Sequence, residues 1–436
     1  MNPSPTCADT PHPSNLNNQP DHLQQSAVPL LLHPSYARSK SLLFDELRHF
    51  RICLKWCALD HSSCLGKFIS YSTFIFFAII LPILSSLSVK LPPSAALRDP
   101  ISFNTLVQLP ESGLALIAFF TLSRFFSTYG LRQLLFLDGL QDDSLFVRRG
   151  YSRELDKAFR YLACILLPSF FVELAHKIIF FSTVEITLPY ISLGVPLNSV
   201  MFLLVLASWV YRTGVFLLVC VLFRLTCELQ ILRFEGLHKL FEGCESDAGA
   251  IFKEHFRIKK QLSGTSHRYR FFIIACSVTI TITQLGALLL VLAFKSEKNF
   301  FNSGDIVICS VVQLSGFFLC LLGAARITHR AQGIVSIATR WHMMVTSASS
   351  RSEQGKCLVR ETDDSIQTDD ADPPDIFITQ DASSFQTRQA FIAYLQHNHG
   401  GITLFGFALD RGLLHTLFAF EFSLVLWILS KVVVLS

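Results

Sequence analysis

The sequence predicts an all-α membrane protein with seven transmembrane helices, and three observations support that prediction. Of the 436 residues, 51% are hydrophobic and 16% are charged, which is too apolar for an ordinary soluble protein. Seven apolar blocks are each close to the roughly 20 residues that a membrane helix needs. Basic residues also alternate between the two sides of these blocks. The blocks lie at 65–89, 101–123, 158–183, 198–223, 271–294, 304–325 and 412–435.

The positive charges predict the orientation. With the blocks taken as helices, 30 of the 37 Lys and Arg residues fall on the side of the N-terminus, six fall on the other side, and Arg212 is at mid-membrane. Because basic residues accumulate in cytosolic connections, the N-terminus is predicted to be cytosolic and the C-terminus extracytosolic. All 12 cysteines lie in predicted helices or cytosolic segments, so no structural disulfide is predicted.

The N-terminal part precedes the first helix and has two predicted segments. Residues 1–40 are rich in Pro, Asn, Gln and Ser and are predicted to be disordered in the cytosol. Residues 41–64 are predicted to form an amphipathic helix before the membrane, because apolar residues recur there at helical spacing. Its cysteines, such as Cys57, are either palmitoylation sites or ordinary reduced thiols.

The remaining chain divides at an acidic stretch. Residues 65–349 hold the first six helices, and the fourth, fifth and sixth continue into amphipathic extensions that could pack together in the cytosol. Residues 350–382, with nine acidic side chains, are predicted to form a disordered cytosolic linker. Residues 383–436 are predicted to be a split last helix, with a cytosolic half at 384–398 and a membrane half at 412–435. The pair Gly400–Gly401 separates the halves.

Ionisable residues at membrane depth predict a polar cluster. Glu173 lies roughly 22 Å above the inner end of the third helix, and Arg212 lies roughly 18 Å above that of the fourth. A Glu173–Arg212 ion pair is therefore predicted, with Lys177 sharing the carboxylate. The cluster is either a structural clamp or the polar floor of an external ligand cavity. The candidate residues are Glu173, His176, Arg212, Gln284 and Gln313.

The last helix has two polar faces. Thr416, Ser423 and Ser430 share one face, and Glu421 points to roughly the opposite side. Either the hydroxyl face packs on a neighbouring helix and Glu421 faces a water-filled pore, or the hydroxyls line the pore and Glu421 pairs within its own protomer, for instance with His415. The first assignment is slightly favoured. The pore-lining candidates are Glu421, Ser423, Val425 and Ile428.

No enzyme signature is present. The sequence has no P-loop, no HExxH and no GxSxG, and the triplet HNH at 397–399 is interpreted as helix capping. We therefore predict no catalytic residue, no metal and no cofactor. Partners are expected to be the lipid bilayer, further copies of the chain and an unidentified small-molecule ligand, but not nucleic acid.

Several segments resemble a known family. The chain from about 40 to 436 is similar to the gustatory receptor-like proteins of land plants, which are distantly related to insect olfactory and gustatory receptors. The resemblance is carried by YGLRQLLFLDGLQDDSLFVRRGYSRELDKAFR, YRTGVFLLVCVLFRLTCELQILRFE, EHFRIKKQLSGTSHRYR, ITHRAQ and GITLFGFALDRGLLHTLFAFEFSLVLWILSK.

This resemblance implies a function. In the insect proteins four subunits surround one cation pore lined by the last helix, and ligands bind in the outer half of each subunit. A ligand-gated cation channel or chemoreceptor-like protein, tetrameric by resemblance, is therefore expected in a plasma or internal membrane. The alternatives are a non-conducting receptor or scaffold and a transporter or lipid-handling protein. Insect gustatory receptors have Thr-Tyr, five apolar residues and then Gln-Phe in the last helix. The nearest register here reads Glu421-Phe422, Ser423 to Trp427 and Ile428-Leu429, so the conserved polar pair of that motif is absent.

Overall fold

The computed structural model describes residues 54, 64–88, 100–129, 140, 143–183, 197–242, 247–293, 300–360, 376–398 and 400–434. Within these residues the chain forms nine α-helices, one π-helical turn and one short hairpin. They are, in chain order, α1 (Cys64–Ile75), the π turn (Phe76–Ile80), α2 (Leu81–Ser88), α3 (Pro100–Thr128), α4 (Leu145–Thr183), α5 (Leu197–Glu242), α6 (Ala248–Ala293), α7 (Phe300–Arg360), α8 (Ile376–His397), β1 (Thr403–Leu404), β2 (Phe407–Ala408) and α9 (Arg411–Val434).

Seven helical units in this part of the chain are long and apolar enough to cross a membrane. The first is the continuous run of α1, the π turn and α2, and the others are α3, α4, α5, α6, α7 and α9. This confirms the predicted fold class of an all-α, multi-pass membrane protein. The predicted tail 1–40 lies outside the described residues, as does the predicted helix 41–64 apart from Leu54 and Cys64.

Three helices are far longer than a membrane is thick. Helices α5 and α6 have 46 residues each, and α7 has 61. At 1.5 Å per residue, 46 residues span about 69 Å, more than twice the ~30 Å apolar core of a bilayer. Helix α7 continues through Arg360 and α8 begins at Ile376, so helix occupies both ends of the predicted linker 350–382. Residues 361–375 between them lie outside the described part.

Helix α5 is the centre of the bundle, since it is buried along most of its length and contacts α3, α4, α6 and α7. One tight contact between α5 and α7 depends on a small residue. A Cβ atom at Gly316 would lie 2.5 Å from the Leu217 side chain and 3.1 Å from the Phe216 ring. Without a strong hydrophobic drive between helices in lipid, such small residues let backbones pack closely.

The π turn in the first span has a local cause. Pro82 lacks an N–H and its ring crowds the carbonyl four residues earlier, so the regular α-helical pattern cannot continue through residue 78. The Ser208 hydroxyl of α5 donates a hydrogen bond to the Phe77 carbonyl of this turn. The irregular backbone is thereby both satisfied and joined to the central helix.

The extensions of the long helices pack together at one end of the molecule. We call this region the basal bundle: residues 226–242 of α5, 248–268 of α6, 326–342 of α7 and 384–397 of α8. Its aromatic core contains Trp341, Phe241 and Phe391, with the Phe241 and Trp341 ring centroids 5.7 Å apart. The bundle is the asymmetric, helical end that the sequence predicts on the cytosolic side.

Buried charges join the basal bundle to the connection before α4. Asp143 accepts two hydrogen bonds from the guanidinium of Arg233, at 2.9 and 2.7 Å, and also pairs with Arg257. The Arg233 side chain is fully buried. A second pair, Glu228 to Arg326 at 2.6 Å, ties α5 to α7. These contacts link the connection before α4 to α5 and α6, and link α5 to α7.

A break separates α8 from α9, at the expected glycine pair. Gly401 has φ +148°, and a Cβ there would meet the Thr328 side chain at 3.0 Å, so a larger residue would be both strained and crowded. The Ile402 N–H donates to the Thr328 hydroxyl, and the Thr403 N–H donates to the Ser266 hydroxyl. The hairpin β1–β2 follows, and Asp410 then caps the N-terminus of α9.

Candidate functional site

A buried ion pair between α3 and α5 is the centre of the polar cluster. The Arg212 Nη2 atom lies 3.1 Å from the Glu111 Oε2 atom, and both side chains are more than nine-tenths buried. The Arg212 Nη1 atom also donates to the Ser112 hydroxyl at 3.1 Å and to the Gln108 carbonyl at 3.3 Å. One turn of α3 thus supplies a charge, a hydroxyl and a carbonyl to a single guanidinium, which offsets the cost of burying it.

The predicted partner of Arg212 was wrong. Glu173 does not pair with Arg212 but with Lys177 on its own helix, at 3.3 Å. Glu111 lies about 12 residues from the inner end of its apolar block, roughly 18 Å up, which is the same depth as Arg212. Depth matching therefore indicates Glu111 of α3 at least as well as Glu173 of α4.

The other predicted cluster residues are divided among three helices. Gln313 of α7 donates to the Cys309 sulfur at 2.7 Å and lines the same small cavity as Glu111 and Arg212. Glu173 and His176 lie on α4. Gln284 lies on α6, is 2% exposed, and has no hydrogen-bond partner for either amide atom within the described residues. The structure thus brings Arg212 and Gln313 together but does not join all five candidates.

Two spaces lie near the ion pair, and they differ greatly in size. The inner cavity, lined by Trp209, Arg212 and Gln313 among others, has about 10 Å³, which is roughly the room for one water molecule. A groove of about 330 Å³ lies between the first span and α3, and its lining includes Gln108 and Ser112 but neither member of the pair. Ligand sites usually exceed ~300 Å³, so only the groove reaches that size among these two.

The groove combines apolar walls with a polar base. Its polar members are Ser86, Gln108 and Ser112. Of these, Gln108 and Ser112 supply oxygen atoms that accept hydrogen bonds from Arg212. The apolar side chains lining it are Ala78, Ile79, Pro82, Ile83 and Leu109. A molecule bound there would lie beside Gln108 and Ser112 of α3, which in turn hydrogen-bond Arg212.

The last helix turns Glu421 towards its own protomer. The Glu421 carboxylate is 2% exposed and accepts a hydrogen bond from the Thr281 hydroxyl of α6. Val425 and Ile428 are buried on the same side, and Ile428 packs in a cluster with Ala287 and Leu288 of α6. Of the four pore-lining candidates, three therefore face α6 and α7 within one chain.

The opposite face of α9 is exposed in the single chain. It carries Ser423, together with Thr416 and Ser430. The Thr416 and Ser423 hydroxyls donate to backbone carbonyls one turn earlier, at 3.0 and 2.7 Å. Glu421 thus contacts its own protomer, as in the second assignment, but through Thr281 of α6 rather than His415, and the hydroxyls lie on the exposed face.

The described residues contain no group of three or more His, Cys, Asp or Glu side chains placed to hold a metal ion. The terminal His397 of α8 instead contacts the Ala393 carbonyl at 2.8 Å, as the capping interpretation predicts.

Most of the chain matches the model of one protein family. The model of a protein family of unknown function, DUF3537, matches residues 45–420. The chain belongs to the DUF3537 family. No curated protein sequence matches it significantly.

Solved structures share the fold of this DUF3537 protein. The olfactory receptor OR5 of the insect Machilis hrabei, solved in complex with eugenol, is similar with a TM-score of 0.52 and 12% identity, over 88% of this chain and 99% of the receptor. A structure of OR5 without eugenol in its description gives a TM-score of 0.52 and 14% identity, over 88% and 98% of the two chains. At such identities the match establishes the fold.

Proposed function

We propose that this DUF3537 protein is a ligand-gated cation channel in which several copies surround a pore lined by the exposed face of α9. The observation that carries the proposal is the position of α9. It packs on α6 and α7 through one face only and leaves a stripe of hydroxyls, including Thr416 and Ser423, on the other. Hydroxyl oxygens on a free face are suited to line a hydrated path for cations.

Cysteine accessibility tests this assignment. In reconstituted protein, a positively charged thiol reagent is expected to reduce the cation current of Ser423→Cys. The same reagent should leave Phe422→Cys unaffected, since Phe422 is 57% exposed but points about 100° away on the helix. Equal effects at both positions, or none at either in protein that conducts, would remove α9 from the pore.

The ligand is proposed to bind in the groove between the first span and α3. Apolar walls and a polar base fit a small apolar molecule with one polar group. Arg212 is already neutralised by Glu111, so a neutral group is favoured over an anion. Eugenol is a suitable first probe because the insect receptor was solved with it. Leu109→Trp, which fills the groove, should weaken eugenol binding, and Leu203→Trp, at a comparably exposed position on α5, should not.

A non-conducting receptor or scaffold is the second candidate. The observation that favours it is the absence of the conserved polar pair of the insect gustatory receptor motif, since the nearest register in α9 reads Glu421-Phe422 and Ile428-Leu429. Ile428 is buried against α6 rather than directed to a pore. A purified protein that binds a ligand but stays monomeric would favour this candidate over the channel.

A further inference from the structure

The hairpin before α9 ends in an unusual turn. Thr403 pairs with Ala408 and Leu404 with Phe407, so Phe405 and Gly406 form the two-residue tip. Both have positive φ, +49° for Phe405 and +93° for Gly406. Hairpin turns of this kind normally have Asn, Asp or Gly at the first position, because a bulky side chain is strained there. A phenylalanine at this position therefore suggests that contacts of its ring offset the backbone strain.

The tip presents aromatic rings to the surroundings. Phe405 is 59% exposed and Phe407 is 77% exposed. The base of the hairpin is held by hydrogen bonds to Ser266 of α6 and Thr328 of α7, so the tip projects from a fixed support. Adjacent Phe271, at 56% exposure, continues the same apolar surface.

An unpaired cation lies against these rings. The Arg270 guanidinium carbon is 4.9 Å from the Phe271 ring centroid and 5.1 Å from that of Phe405. Among the residues that the structure describes, Arg270 has no carboxylate partner, and its buried Nε atom has no hydrogen-bond acceptor. Aromatic contacts orient a guanidinium but leave its hydrogen-bond donors unused. The side chain is therefore placed to bind an anion.

The depth of Arg270 and the hairpin tip along the membrane normal restricts the chemical class of the anion. Phe271 begins the apolar block of α6, and Arg411 begins α9, so the tip lies level with the boundary between the basal bundle and the membrane segments. The distribution of basic residues predicts that this boundary faces the cytosolic leaflet, where anionic lipids concentrate. Aromatic rings beside a basic side chain are typical of the headgroup region.

We propose that Arg270, Phe405 and Phe407 form a binding site for the phosphate-bearing headgroup of an anionic phospholipid of the cytosolic leaflet. Arg270 binds the anionic headgroup, and the two rings of the hairpin tip insert among the upper acyl carbons. Since the hairpin leads directly into α9, a bound lipid sets the position of the start of the last helix. Lipid binding at this site does not require channel activity.

Native mass spectrometry of the full-length protein in detergent tests the site. The protein is mixed with equal amounts of phosphatidylserine and phosphatidylcholine that have the same acyl chains. Retention of phosphatidylserine is expected to exceed that of phosphatidylcholine by about fivefold, which is the contribution of roughly one basic residue near a headgroup. Arg270→Gln should bring the ratio close to one, and Arg270→Lys, which keeps the charge, should preserve most of it.

Two further variants distinguish lipid binding at this site from the effects of overall positive charge and of nonspecific apolar contact. Arg330→Gln removes the same charge in the basal bundle, where Arg330 pairs with Glu235 at 3.5 Å, and should leave the ratio unchanged. Phe407→Ser should lower retention of both lipids. An equal loss of preference in Arg330→Gln, or no preference in the unmodified protein, overturns the proposal. So does a loss of oligomers in lipid-free detergent for Arg270→Gln, since Arg270 would then bind a second copy.

Discussion

The buried Glu111–Arg212 pair gives the sharpest test of how this fold holds charge in the membrane. Three variants are compared with the unmodified protein: Glu111→Gln, Arg212→Met and the double change. The two side chains are 7% and 4% exposed and their charged atoms are 3.1 Å apart. Each single change leaves a buried group without its partner, whereas the double change removes both charges.

The magnitudes follow from this burial. Removing one member of a buried ion pair costs about 3–5 kcal/mol, while replacing the whole pair by apolar groups is often close to neutral. We expect a cost of about 3 kcal/mol for each single variant. The double variant should cost less than the sum, with a coupling free energy of at least about 2 kcal/mol.

Unfolding by sodium dodecyl sulfate in mixed micelles, followed by tryptophan fluorescence, measures these free energies, because Trp209 lines the cavity beside Arg212. Glu173→Gln combined with Arg212→Met is the control cycle. Since Glu173 pairs with Lys177 instead, its coupling to Arg212 should stay below about 1 kcal/mol. A stronger coupling through Glu173 than through Glu111 would refute the pairing that we describe.

Three other variants test separate elements. Gly401→Ala should destabilise the protein by about 1–3 kcal/mol in the same unfolding assay, because residue 401 has a φ of +148°. The control Gly333→Ala, in open space on α7, should be neutral or stabilising. Equal effects of the two changes would show that the break needs no glycine. Asp143→Ala strands the fully buried Arg233 and should cost about 3–5 kcal/mol by the same measurement, and a loss under 1 kcal/mol would contradict a role in holding the basal bundle. Glu421→Gln should leave the cation selectivity of a conducting channel unchanged, because the carboxylate faces α6; a shifted reversal potential would place it in the pore.

Much of the fold could be predicted from local patterns. The seven apolar blocks predicted the spans because stretches of about twenty predominantly apolar residues have no stable place in water. The pair Gly400–Gly401 predicted the break in the last helix, and the structure shows why glycine is needed, since residue 401 has a positive φ and touches Thr328. The π turn of the first span was missed, although Pro82 within the block was a signal for an irregular helix.

The charges were predicted less well than the helices. Depth along the membrane can be counted from the sequence, and it placed Arg212 level with more than one carboxylate. Whether Glu111 or Glu173 is the partner depends on which helix packs against which face of α5, and that is a property of the whole bundle. Asp143, which binds Arg233 and Arg257, carries no local signal because its partners are 90 and 114 residues away.

The sequence by itself determined the class of protein, the number and order of membrane helices, and the relative faces of residues on each helix, because these depend on solvation and on the fixed 3.6-residue period. It placed the hydroxyls of α9 opposite Glu421, but it could not say which face is turned inward. Tertiary structure decided that Glu421 binds Thr281 and that Ser423 is exposed, since the orientation of a helix about its own axis is set by packing against its neighbours.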